Sequence, residues 1–211
     1  MADTPSRLML ISPPLGADAD FGAPLAAALS AAPFAAVVLR TDYGADERAL
    51  LKMLKPLIEA VQAAGAAALI EGSADLVGKS GADGLHVLGD KQAREAISRF
   101  KPDKIVGAGG LRTKDAAMSA GEVNTDYVLF GDPGKGGDVP LDIVVERCGW
   151  WAEIFTTPCV GQAETFDSVA PIAATRADFV ALGAFVWTHK DGPAAAVKAA
   201  AEQIPALESA P

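Results

Sequence analysis

Between residues 81 and 132, three short apolar runs at 84–88, 104–109 and 127–131 alternate with polar, helix-compatible pieces at 91–100 and 113–121. Each run is rich in Val, Ile or Leu and ends in or just before Gly or Asp. A strand covered on both faces carries no polar alternation, so short apolar runs separated by helices predict βα units on a parallel sheet. Such a sheet delivers the last residues of every run to the face where binding and catalytic loops gather.

The same rhythm extends in both directions. Strands are expected at 8–12, 35–40 and 66–71 before this stretch, and at 159–163 and 179–185 after it. Helices are expected at 20–32, 46–64, 73–80, 141–155, 167–175 and 192–204. Within 46–64, Leu50, Leu54, Leu57, Ile58 and Val61 recur at the spacing of one helical face. Pro56 predicts a kink or a restart there, and Ser73 is a candidate cap for the next helix. In 141–155, Leu141, Val144, Val145, Cys148, Trp151 and Phe155 form one stripe, with Trp151 expected in the core. Eight strands, each followed by a helix and with no linker, predict one α/β domain over residues 1–211, a compact (β/α)8 TIM barrel. The other arrangement, an open doubly wound sheet, lacks its G-x-G-x-x-G turn after the first strand. At 211 residues, against roughly 250 for most such barrels, helices and loops must be short.

Composition narrows the function. Half of the chain is hydrophobic but only 6% is aromatic, so the core is built from Ala, Val and Leu. A formal charge of −9 argues against nucleic acid and against an anionic membrane surface as partners. Cys148 and Cys159 are too few for a disulfide framework and fit a reducing compartment. The apolar run at 8–11 is too short for a signal-peptide core, and no stretch approaches a membrane span. The expectation is a cytoplasmic, thiol-containing protein. Trp150, beside Trp151, is a candidate contact for a homo-oligomer.

Several chemistry-bearing residues fall at strand ends. Arg40 can neutralise a phosphate, or form a structural ion pair with Asp42 or Glu71. Asp42, Glu71, Asp90 and Asp132 would point four carboxylates at one mouth, which suits Mg²⁺, or would be separately solvated. His86 can serve as acid or base, or be a packed, hydrogen-bonded strand residue. The turn from Gly107 through Gly109 and Gly110 to Arg112 can cradle an anion, or be a tight βα turn. The glycine-rich loop around Lys135 lacks the spacing and the Ser or Thr of a nucleotide-binding P-loop.

Taken in order, ADGLH at 82–86, IVGAG at 105–109 and DYVLFG at 126–131 resemble the thiamine phosphate synthase/TenI superfamily of compact (β/α)8 barrels. In its synthases a pyrimidine diphosphate loses pyrophosphate and a thiazole phosphate nitrogen attacks the resulting cation, with Mg²⁺ and basic residues holding the pyrophosphate. The resemblance implies a transferase of thiamine biosynthesis that binds a phosphorylated small molecule. Position by position, Arg40 is kept, while the neighbouring glutamine and lysine are Val38 and Asp42. The Asn-Asp pair after the third strand, whose aspartate binds metal, is Glu71-Gly72, and the second metal aspartate is nearest Asp90. The phosphate-binding Gly-x-Ser is Gly107-Ala108-Gly109, and the shortened loop after strand six offers Lys135. The phosphate-cradling I-G-G-I becomes Val160-Gly161-Gln162-Ala163, and the tautomerase histidine position is Leu111. The implied site has Arg40, Glu71 and His86 at the reacting centre and Arg40, Gly107, Gly109, Arg112, Lys135 and Gln162 on phosphate. Glu71 and Asp90 are the implied metal ligands. Two functions follow: a synthase-like barrel whose parent activity is weak or lost, and a non-catalytic barrel that binds a phosphorylated ligand or a protein partner.

Overall fold

In the computed structural model, which describes residues 5–42, 44, 46–132 and 137–204, eight parallel strands close into a barrel in chain order. They are β1 (Arg7–Ile11), β2 (Phe34–Arg40), β3 (Ala67–Glu71), β4 (Gly84–Leu88), β5 (Ile105–Gly109), β6 (Tyr127–Phe130), β7 (Cys159–Ala163) and β8 (Phe179–Leu182). The helices are α1 (Gly22–Leu29), α2 (Glu47–Ala63), α3 (Ala74–Ser80), α4 (Asp90–Phe100), α5 (Lys114–Glu122), α6 (Leu141–Ile154), α7 (Val169–Ala173) and α8 (Pro193–Ala201). β8 pairs with β1 through Phe179 opposite Arg7 and Ala181 opposite Met9, which closes the sheet. Among the described residues no helix is long and apolar enough to cross a membrane.

Strand alternation sorts the core into two layers. Met9, Ile11, Ala36, Val38, Leu69, Tyr127, Leu129, Val160 and Ala181 form an apolar cluster inside the barrel. Their strand neighbours, such as Leu10, Val37, Ile70, Val128 and Val180, join the larger cluster between sheet and helices. Trp151 is fully buried in that outer layer, and its indole N–H donates to the Thr157 carbonyl at 2.7 Å. Cys148 and Cys159 are buried free thiols. A hydrogen bond with Cys159, and then burial, push the Cys148 thiol well above its ordinary value.

Three aspartates pin the foot of the barrel. Asp83, Asp126 and Asp178 each stand just before an even-numbered strand and accept a backbone N–H from the strand before it. The donors are Ala68 at 2.8 Å, Val106 at 2.7 Å and Cys159 at 2.8 Å.

Four local expectations are corrected. Pro56 does not restart the helix, for α2 is one element of 17 residues. Pro56 lies on the exposed side, where a carbonyl without its helical partner is solvated. Burial of Leu50, Leu54, Leu57, Ile58 and Val61, at roughly 1.5–3 kcal/mol each, outweighs a proline cost of about 3 kcal/mol. Ser73 stands at the N-cap of α3 but makes no side-chain capping bond. Strand β8 ends at Leu182, and Ala184–Val186 form a 3-10 turn instead of more strand. On α6, Val144, Cys148 and Trp151 are buried, but Leu141 is exposed and Val145 half-buried, so the stripe is narrower than its spacing implies.

Candidate functional site

One row of the sheet carries the chemistry. Arg40 is in register with Glu71, Glu71 with His86, His86 with Gly107, and Gly107 with Tyr127. The row runs across five neighbouring strands, and alternation turns all of its side chains into the lumen. The Arg40 Nε–H donates to Glu71 Oε1 at 3.2 Å. The Tyr127 hydroxyl lies 2.9 Å from His86 Nδ1, and His86 Nε2 stands 3.6 Å from Asp132 Oδ2. Glu71, His86, Tyr127 and Asp132 are all buried, whereas the Arg40 side chain keeps 23% of its surface open.

Two glycines of β5 make this network sterically possible. A Cβ on Gly107 would stand 1.9 Å from Tyr127 Cζ, so the missing side chain is the space through which the phenol reaches His86. A Cβ on Gly109 would stand 2.5 Å from His86 Nε2 and 3.1 Å from Asp132 Oδ2. The bareness of β5 thus brings groups from β4, from β6 and from just beyond β6 into one polar centre.

Electrostatics distinguish the members. Burial, followed by the charges of Glu71, Asp126 and Asp132, pushes the Tyr127 phenol far above its ordinary range, so it remains a hydroxyl. Either the phenol donates to Nδ1 and Nε2–H faces Asp132, or Nδ1–H donates to the phenol and the Nε2 lone pair faces the carboxylates. On the β7 side the Gln162 amide donates to Glu164 Oε1. Burial raises the Glu164 pKa, opposed by Gln162, by the Ala184 N–H and by the charge of Arg40. This end of the lumen therefore presents one guanidinium close to several carboxyl groups.

Not every expected residue joins the centre. Asp42 is exposed beyond β2, and Asp90 opens α4 half-buried. Among the described residues, the set of three metal-ligating side chains whose donor atoms converge is Glu71, His86 and Asp132, within 4.8 Å of one another. Asp90, the other residue of the expected Mg²⁺ pair, is not in that set. Gly72 is committed to glycine: its φ is +153°, and an added Cβ would lie 2.0 Å from Thr41 Oγ1. No aspartate can enter there without moving the backbone.

The turn after β5 is engaged with protein groups. Arg147 donates to the Leu111 and Arg112 carbonyls at 3.0 and 2.7 Å, and Arg112 donates to the Gly137 carbonyl at 2.8 Å. Arg112 thereby reaches the loop after β6, and Leu111 is buried. Gln162 is buried in the mouth, and Lys135 lies outside the described residues. Sequence reasoning passed over Tyr127 and Glu164. The signal for both was strand alternation, since Tyr127 shares a face with Leu129 and Glu164 follows Gln162 by two.

The family model and the curated relatives point to one family. The model of the thiamine monophosphate synthase family matches residues 8–186. A thiamine-phosphate synthase of Hyphomonas neptunium is 36% identical over 204 residues, covering 92% of this chain and 91% of the relative. One of Rhodospirillum centenum is 38% identical over 198 residues, covering 92% and 95%. Among solved structures, thiamine phosphate pyrophosphorylase from Pyrococcus furiosus superposes with a TM-score of 0.75 at 17% identity. It covers 93% of this chain and 94% of its own, a likeness of fold.

Proposed function

We propose that this chain, which belongs to the thiamine monophosphate synthase family, acts in thiamine biosynthesis. It binds a phosphorylated small heterocycle at the C-terminal mouth of the barrel, and its synthase turnover is weak or lost. The mouth supports an anion through Arg40, whose guanidinium is partly open and held in place by Glu71. A guanidinium fixed this way is preorganised for a phosphoryl oxygen.

The observation that carries the weak turnover is Gly72. The synthase chemistry sheds pyrophosphate, a leaving group whose charge needs several fixed cationic or metal contacts. At Gly72 the backbone conformation and the Thr41 hydroxyl exclude a carboxylate ligand. Asp42, where the resemblance expects a lysine, adds negative charge at the end of β2. Losing one preorganised electrostatic contact costs about 3 kcal/mol, a factor of roughly 100 in rate, and such losses are not simply additive.

Two arms test this. Calorimetry with thiazole phosphate is expected to show binding that Arg40→Ala weakens at least about tenfold, from loss of a charged contact; binding unchanged in the variant sinks the site. A direct assay with the pyrimidine diphosphate, thiazole phosphate and Mg²⁺ is expected to give turnover well below ~1 s⁻¹. Faster turnover, as the names of the curated relatives would have it, overturns the weak-synthase reading. Binding without any turnover marks a barrel that only holds its phosphorylated ligand.

A further inference from the structure

From the convergence of Glu71, His86 and Asp132, we infer that the mouth holds one divalent transition-metal ion of the Mn²⁺-to-Zn²⁺ series in place of Mg²⁺. Three features support the site. First, the donor atoms come from the end of β3, from within β4 and from just beyond β6, and lie within 4.8 Å of one another, all on buried residues. Ligands roughly 2.0–2.2 Å from a tetrahedral ion stand about 3.4 Å apart. His86 Nε2 and Asp132 Oδ2, at 3.6 Å, already have that separation, and the third donor needs a small side-chain adjustment.

Second, the space between the donors is kept open. A Cβ at Gly109 would occupy it, 2.5 Å from Nε2 and 3.1 Å from Asp132 Oδ2. Third, the groups behind the ligands are those that orient a metal centre. The Tyr127 hydroxyl, 2.9 Å from Nδ1, fixes the imidazole with Nε2 turned to the carboxylates. The oxygen of that hydroxyl can accept a hydrogen bond from Nδ1–H, which leaves the Nε2 lone pair for the ion. Arg40 holds Glu71 Oε1 at 3.2 Å and offsets part of the negative charge.

The identity of the ion follows from the donor set. Mg²⁺ prefers oxygen ligands in a strict octahedron with retained water. An imidazole nitrogen beside two carboxylates favours the borderline first-row ions, with Mn²⁺ the weakest of the series. This inference rests on the geometry of three side chains and not on the synthase reading, so either can fail alone.

Co²⁺ is the probe, since its visible spectrum separates nitrogen and oxygen ligation from thiolate ligation at Cys148 and Cys159. Metal-stripped full-length protein is titrated with Co²⁺ and with Mg²⁺ by calorimetry and absorption. The expected result is one Co²⁺ per chain, bound at least tenfold tighter than Mg²⁺, without thiolate charge-transfer bands. Asp132→Asn should abolish binding, and Tyr127→Phe, which keeps the ring, should weaken it 10–100-fold, the usual cost of losing an outer-shell partner. Thermal melts identify any variant that fails to fold, and Tyr127→Phe then carries the test. Absence of Co²⁺ binding, thiolate bands, equal Mg²⁺ affinity, or affinity indifferent to Tyr127→Phe in folded protein would each overturn the inference.

Discussion

Carboxylates stand at both ends of this barrel, and they do different work. At the foot, Asp83, Asp126 and Asp178 each accept a backbone N–H of a neighbouring strand. At the mouth, Glu71 meets Arg40, Asp132 faces His86, and Glu164 takes the Gln162 amide. Every foot carboxylate holds a strand N–H, whatever side chain it also meets, whereas the mouth carboxylates engage side chains that a ligand or ion can compete for. The two kinds occur within one motif, since ADGLH places Asp83 at the foot and His86 at the mouth of β4. A matching motif is therefore a mixture of fold maintenance and chemistry, and only position along the strand separates them.

The largest expected effect comes from breaking the mouth network sterically. Gly107→Ala puts a methyl group where the Tyr127 ring lies, 1.9 Å from Cζ. Both residues are buried, so the ring must move and the bond to His86 is lost. A cost of about 3 kcal/mol is expected, the upper part of the overpacking range. It should appear as a lower urea midpoint in a single transition, measured in reductant. An unfolding free energy within about 0.5 kcal/mol of the parent, the spread of surface substitutions, would show that the lumen is looser than its geometry.

Breaking the foot should cost less and leave the mouth intact. Asp126→Ala removes the acceptor of the Val106 N–H, on a residue that is fully buried, and the partner of Lys101 Nζ at 2.5 Å. An unsatisfied buried N–H costs about 1–3 kcal/mol, while the half-open lysine pair adds little. About 2 kcal/mol of lost stability is expected, with thiazole phosphate affinity of the folded protein unchanged. Affinity that falls along with stability would erase the distinction between the two ends.

Element order, closure and most boundaries were legible because they depend on local pattern. Apolar runs of strand length and the Leu face of α2 are short-range signals. The site was legible in part. Arg40, Glu71 and His86 were recognisable as strand-end chemistry, but their pairing is set by register, and register follows from packing across the sheet. Gly107 and Gly109 invited a phosphate-binding reading because glycine is common to both uses; their role as space for Tyr127 and His86 depends on a partner strand some twenty residues away, by the roughly 3.3 Å rise that sets which residues face each other. Gly72 in turn was visible as a missing aspartate, though not as a position closed by Thr41.

The smallest effect separates the two ends by pH. Glu164 sits partly buried beside Gln162, and burial outweighs the hydrogen bonds and the Arg40 charge, so its folded pKa is raised. A raised carboxyl pKa means that the fold favours the protonated form. That contribution to stability is fully present below the ordinary glutamate value of about 4.3 and is lost as pH rises through the folded pKa. Glu164→Gln is neutral throughout and removes the loss, while Gln162 still has an amide oxygen to meet. Relative to the parent, the variant should therefore gain stability as pH goes from acid to neutral, by an amount limited by the solvent that reaches the site. Urea midpoints of both proteins at pH 4 and pH 7.5 check the sign. A gap that is constant or narrows with rising pH would mean that Glu164 is as well satisfied as the aspartates at the foot, and that the mouth stores no electrostatic strain at this residue.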